Sequence, residues 1–193
     1  MNDAEGKNTE ALETNVITFG CRLNTYESAV ISEHLRANHL DDAVVFNTCA
    51  VTQEAERKAR QSIRQYSRRN PNAKIIVTGC SAQLNPDVYS AMSEVDQVLG
   101  NKEKMNSESY SSSAPSVSVG DIMQVKEHSS HLLTHYETRT RAIVEIQNGC
   151  DHRCTFCIIP YARGQSRSID QETIIRQIQT LLDKGYHEII LTG

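Results

Sequence analysis

Between residues 15 and 100 the sequence repeats one theme, a short unbroken apolar run followed by a stretch with helical spacing. NVITFG (15–20) leads into a helical stretch from Tyr26 to about Asn38, with Ala29, Val30, Leu35 and Ala37 apolar. AVVFNT (43–48) precedes a longer one, about Gln53 to Arg69, and KIIVTG (74–79) precedes a short one, Pro86 to Met92, before DQVLG (96–100). Strands that are apolar throughout are buried on both faces, which suits a parallel sheet covered by helices. The pattern predicts consecutive βαβ units and an α/β fold of the Rossmann or flavodoxin kind over residues 14–106.

Each of the first three runs ends at a cysteine: Cys21, Cys49 and Cys80, at intervals of 28 and 31 residues. In a parallel sheet those ends share one edge, with neighbouring strands ~4.8 Å apart, and open α/β sheets bind ligands beyond it. Any one of the three reads as an ordinary buried cysteine. Three at the same place in consecutive units read as a joint site.

The polar N-terminus, MNDAEGKNTEALET, lacks the basic start and apolar centre of a secretory leader. No apolar run approaches the ~18 residues of a membrane helix. The expected location is therefore the cytoplasm, where six cysteines are not a disulfide framework. A net charge of −4 does not mark the whole chain as a nucleic-acid binder, so only a local basic face would serve.

SESYSSSAPSVSV (107–119) is serine-rich without helical or strand period, and residues 107–138 read as a linker or exposed loop. The histidines within it (His128, His131, His135) read as solvated rather than as a metal tract. From residue 139 a new unit begins: a strand, RAIVEIQNG, then a helix from about Gln171 to Lys184 ended by Gly185, then the strand HEIILTG. Strand, helix and strand are the start of a barrel or sheet, so the natural chain is expected to continue.

Between that first strand and helix lies CDHRCTFC, in which Cys150, Cys154 and Cys157 are separated by three and then two residues. Thiolates suit zinc or iron–sulfur clusters. Structural zinc takes four protein ligands, and His152 would have to complete the set from inside a gap already spanned by two cysteines. A cubane held by three cysteines instead leaves one iron open.

C-x₃-C-x₂-C directly after a strand, with Phe156 before the last cysteine, resembles the radical S-adenosylmethionine superfamily. GCRLNTYES (20–28), NTCAVTQEA (47–55) and TGCSAQ (78–83), followed by IQNGCDHRCTFCIIPYARGQSRS (146–168), resemble the methylthiotransferase family within it. The resemblance implies two [4Fe–4S] clusters, an auxiliary one on Cys21, Cys49 and Cys80 and a radical one on Cys150, Cys154 and Cys157. It implies S-adenosylmethionine as cofactor, with Phe156 and the strand end Thr192–Gly193 near it, in a partial TIM barrel beginning at residue 139. It also implies insertion of a methylthio group at C2 of a modified adenosine beside the tRNA anticodon. The motifs look most like the bacterial branch acting on threonylcarbamoyladenosine; sibling branches act on isopentenyladenosine or on a ribosomal-protein aspartate. Readings from other classes are an iron–sulfur electron carrier and a zinc-stabilised RNA-binding module. An electron donor of flavodoxin or ferredoxin type and a monomeric state are expected, with no membrane partner. The family's remaining barrel and TRAM domain are absent from the sequence, so the isolated segment is expected to be inactive.

Other residues carry weaker signals. On the second helix Arg57, Arg60, Arg64 and Arg68 fall opposite Ala55, Ala59, Ile63 and Tyr66, a solvated face or a phosphate-tracking stripe for tRNA. Asn24 and Asn47 flank dispersed cysteines and suit hydrogen bonds to loops or sulfur. Arg163 and Arg167 read either as partners for a cofactor carboxylate or substrate phosphate, or as exposed loop arginines.

Overall fold

In the computed structural model the described residues are 15–126, Leu133 and 140–193. His128, His131 and His135 lie outside them. The apolar runs form strands β1 (Val16–Thr18), β2 (Ala43–Thr48) and β3 (Lys74–Gly79), then β4 (Gln97–Leu99), joined by helices α1 (Arg22–Ala37), α2 (Gln53–Arg69), α3 (Cys80–Leu84) and α4 (Pro86–Ser90). The pairing is parallel throughout, and spatial order follows chain order, so the loops after β1, β2 and β3 lie side by side.

Alternate residues divide the sheet into two faces. Val44, Phe46, Ile75 and Val77 pack with Ile63 of α2, while Val45 and Ile76 pack with Ile31 and Leu35 of α1. Because α1 and α2 cover opposite faces while the chain steps the same way across the sheet, the two crossovers have opposite hands. One is the uncommon left-handed kind. Helix α1 starts four residues before the expected Tyr26, because Cys21 already occupies its N-cap in extended conformation.

The serine-rich stretch is not the exposed linker expected of it. Val117–Ser118 is a fifth parallel strand, β5, in register with Val98 and Leu99. Tyr110 is fully buried against α1, and its hydroxyl donates to the Lys104 carbonyl at 2.8 Å. Gln97 Nε2 fastens the segment by donating to the carbonyls of Ser109 and Pro115. One buried aromatic ring and a strand of two residues outweigh a composition that resembles a loop.

The second half supplies β6 (Arg141–Glu145), β7 (Gln147–Asn148), α5 (Ile159–Arg163), β8 (Arg167–Ser168), α6 (Gln171–Asp183) and β9 (Glu188–Thr192). β6 and β9 pair in parallel across α6, the βαβ unit expected of a barrel's beginning. Ile143 and Leu181 share one buried cluster with Tyr26 and Val30, so α1 is sandwiched between the sheet and this second unit. Among the described residues no helix is long and apolar enough to cross a membrane.

Candidate functional site

Cys49 and Cys80 directly follow β2 and β3, and Cys21 caps α1 just beyond β1. All three are free thiols; Cys21 is exposed, and Cys49 and Cys80 are buried. Gly20 has φ of +110°, and a Cβ there would lie 2.9 Å from the Cys49 sulfur, so only glycine lets the first loop close against the second cysteine. Gly79, with φ of +96°, is pressed against the Thr48 backbone in the same way. Burial pushes the Cys49 thiol up, and the neighbouring Cys80 and Cys21 charges push it further, while Arg163 pulls it down.

Two asparagines knit these loops. Asn24 Nδ2 donates to the carbonyls of Phe19 (2.8 Å) and Thr48 (3.0 Å), and its Oδ1 faces the Cys21 sulfur at 3.7 Å. Asn47 Nδ2 donates to the Asn24 carbonyl and to Ser28 Oγ. Asn101 Nδ2 lies 3.8 Å from the Cys80 sulfur and donates to the Ala162 carbonyl of α5 at 2.7 Å.

Behind the asparagines sits a buried charge group that the motifs did not disclose. Glu27, Lys104 and Arg163 are 1%, 0% and 3% exposed. Lys104 Nζ donates to Glu27 Oε2 at 2.6 Å, and Arg163 Nη1 to Glu27 Oε1 at 2.8 Å. Arg163 Nη2 also donates to Asn24 Oδ1 at 2.7 Å. Burial by itself would raise the Glu27 pKa; the two adjoining cations outweigh it and hold the carboxyl at about 2. Burial lowers the Lys104 pKa against the upward pull of Glu27 and Cys80. Arg163 is also acted on by burial, but Glu27, Cys80 and Cys21 keep it firmly charged. Arg163 is thus neither an exposed loop residue nor free to meet a cofactor carboxylate. One signal was available: Glu27 falls on the face of α1 that carries Leu23, Tyr26, Val30 and Ile31, an acid in an apolar stripe. Nothing local marks Lys104.

CDHRCTFC forms the loop between β7 and α5. Cys150 N donates to the Gly164 carbonyl (3.1 Å), and Cys157 N to the Cys154 carbonyl (3.1 Å). Asp151 Oδ1 accepts from Ser166 N at 2.9 Å, closing the loop's base. Cys154 is exposed, with Cys150 and Cys157 half-buried, and Phe156 stands out at 91% exposed. At the end of β9, Ile146 N donates to the Thr192 carbonyl at 2.8 Å, and a Cβ on Gly193 would touch that of Gln147 at 2.9 Å. Thr192 and Gly193 therefore adjoin the strand that feeds the cysteine loop. Arg167 is half-buried and donates to the Arg163 carbonyl at 2.8 Å.

Among the described residues, no group of three or more His, Cys, Asp and Glu side chains is arranged to hold a metal ion. His152 is exposed. A multi-iron cluster spreads its thiolates wider than a single tetrahedral ion does. The surroundings fit such a group: three thiols on adjacent strand ends, a glycine cradle under one of them, and buried cations facing them. Residues Cys21, Cys49 and Cys80 would hold one cluster, and Cys150, Cys154 and Cys157 another.

The arginines of α2 stand apart, since that helix covers the sheet face opposite α1 and the second unit. Arg57 is bound to Glu54 through two hydrogen bonds of 2.9 and 2.7 Å. Arg64 lies 4.0 Å from Glu94. Arg60 is half-buried and Arg68 is exposed. The helix α5, which follows the Cys150–Cys157 loop, meets α3, which begins at Cys80, and the α2 stripe lies on the other face of the sheet.

Residues 144–193 match the Radical SAM superfamily, and residues 13–100 match the family described as Uncharacterized protein family UPF0004. The chain is 53% identical to the threonylcarbamoyladenosine tRNA methylthiotransferase MtaB of Rickettsia prowazekii, over 94% of this chain and 43% of that protein. Proteins of the same name from Aquifex aeolicus (38%) and Bacillus subtilis (39%) match over 91% of this chain and 46% and 42% of their own lengths. The chain belongs to the methylthiotransferase family of radical S-adenosylmethionine proteins, a class that uses S-adenosylmethionine and iron–sulfur chemistry. It spans less than half the length of these relatives.

Proposed function

We propose that this chain is part of a cytoplasmic enzyme that inserts a methylthio group at C2 of threonylcarbamoyladenosine in tRNA, with two [4Fe–4S] clusters. The observation that carries the reading is the docking of α5 on the strand-end cysteines. The helix that follows the CDHRCTFC loop places Arg163 on Asn24 and Glu27, and the Ala162 carbonyl on Asn101. On this reading the contact supports two thiolate sets that act together. An electron carrier has no need of ligand sets that each leave an iron position open.

When bound, the clusters and S-adenosylmethionine supply the one-electron chemistry that an unactivated aromatic C–H bond requires. The protein's part is positional. Cys150, Cys154 and Cys157 would hold the radical cluster on a loop fixed by Gly164 and Ser166, with Thr192, Gly193 and Phe156 as the residues that would adjoin the cofactor. Cys21, Cys49 and Cys80 would hold the auxiliary cluster, which would supply the sulfur chemistry. The adenine is presented out of its stack, tRNA phosphates meet Arg60, Arg64 and their neighbours, and a flavodoxin- or ferredoxin-type donor supplies electrons.

The test is mass spectrometry of tRNA nucleosides from a deletion strain. Methylthiolated threonylcarbamoyladenosine should vanish and return with the intact gene. Unchanged nucleosides would overturn the assignment.

A further inference from the structure

Ala162 and Arg163, consecutive residues of α5, each meet a side-chain amide of the first unit across the seam between the two units. The Ala162 carbonyl accepts from Asn101 Nδ2, and Arg163 Nη2 donates to Asn24 Oδ1, both at 2.7 Å. Asn24 and Asn101 are buried, and their partners fix which way each amide points. A reversed Asn24 would turn its NH₂ group to the guanidinium and its oxygen to the carbonyls of Phe19 and Thr48. A reversed Asn101 would set its oxygen against the Ala162 carbonyl. Such contacts match donor with donor or acceptor with acceptor. So oriented, Asn24 Nδ2 ties the Phe19 carbonyl, just ahead of Gly20 and Cys21, to the Thr48 carbonyl that directly precedes Cys49. Asn101 Nδ2 faces the Cys80 sulfur at 3.8 Å, and Gln83, on the helix that Cys80 begins, accepts from Asn101 N at 2.8 Å. Two amides thereby hydrogen-bond all three strand-end loops to one turn of α5.

We propose that Asn24 and Asn101 are positioning residues of the site at Cys21, Cys49 and Cys80, and that α5 of the second unit sets the spacing of these cysteines through them. The inference rests on the assignment of a cluster to those cysteines. Groups that orient ligands without touching the metal govern how firmly it is held. The parallel strands bring the three loops side by side, and the amides fix the distance between them. Only Ile158 separates Cys157 from α5, so the same short helix also sets where the second cysteine loop stands relative to the first site. Neither asparagine touches a reacting atom.

The experiment uses the full-length protein with Cys150, Cys154 and Cys157 all changed to Ala, reconstituted anaerobically with iron and sulfide so that only the auxiliary cluster remains. Iron loss to a chelator is followed per folded chain, so a fold defect that merely lowers the yield does not register. Asn24→Ala should lose iron about tenfold faster than the parent. Arg163→Lys keeps a cation beside Glu27 but gives up the planar fork that spans Glu27 and Asn24, and it should move the rate in the same direction. Asn101→Leu keeps the volume and removes the donor to Cys80. Resonance Raman spectra of protein reconstituted in heavy water should then show a smaller deuterium shift of the iron–cysteine stretch. If Asn24→Ala does not fold, Arg163→Lys and Asn101→Leu decide. Parent rates in Arg163→Lys, or the parent's deuterium shift in Asn101→Leu, with iron bound in the parent, overturn this inference alone. A parent that binds no iron overturns the cluster assignment beneath it.

Discussion

Arg163 and Glu27 are 136 residues apart in sequence and meet in a buried two-point ion pair, Nη1 to Oε1 at 2.8 Å and Nη2 to Oε2 at 3.2 Å. Arg163 is also one residue from Gly164, whose carbonyl accepts from Cys150 N. Through Asn24, which accepts from the same guanidinium and faces the Cys21 sulfur, one side chain joins the two cysteine loops.

Removing one partner from such a group leaves buried charge uncompensated. Glu27→Ala should lower stability by about 3–5 kcal/mol, measured as the urea unfolding free energy. A loss near zero would mean that water reaches the seam and screens it.

The same carboxylate gives the fold an acid limit. Its pKa falls from 4.5 to about 2 on folding, so its stabilising contribution is complete above the unfolded value. That contribution is lost as pH drops through this interval. Unfolding followed against pH should steepen between about pH 4.5 and 2, and Glu27→Gln should flatten that slope. Equal slopes in the two proteins would place the acid transition elsewhere.

Much of this arrangement could be read from the sequence, and the part that could not has a common cause. Helix α2 falls on the expected residues, and β2 and β3 are the runs AVVFNT and KIIVTG, because those signals are local and periodic. The cysteines announced themselves by recurring at strand ends. β5 escaped because two residues have no period. The charge group escaped because its members come from α1, from the turn after β4 and from α5, and meet only once the two units dock.

The loop glycine beneath Cys49 permits a direct test of the auxiliary site. Gly20→Ala combines a positive φ with a Cβ 2.8 Å from that of Cys49, so the strand-end loops must separate. Anaerobically reconstituted protein should lose about half of its iron, the share of one cluster of two. Full iron content would show that the loop tolerates the displacement.

The two cysteine sets should separate functionally in the intact enzyme. Cys154→Ala should abolish reductive cleavage of S-adenosylmethionine, measured as 5′-deoxyadenosine. Cys49→Ala should spare cleavage and block the methylthio product. Product from the Cys49 variant would end the division of labour between the two sites.

The basic stripe of α2 is sharpened by its ion pairs. Arg57 is occupied by Glu54, whereas Arg64 is only 4.0 Å from Glu94 and Arg60 forms no salt bridge with an acid among the described residues. If the stripe tracks phosphates, the double change Arg60→Glu and Arg64→Glu should weaken tRNA binding about tenfold at low salt. It should also reduce the slope of log affinity against log salt by ~1.5, the share of two phosphate contacts. Binding measured across a salt series separates this from a fold defect, which would lower the amount of active protein without changing the slope. An unchanged slope and affinity would leave the stripe as the solvated face of a helix on the far side of the sheet from the cysteine seam.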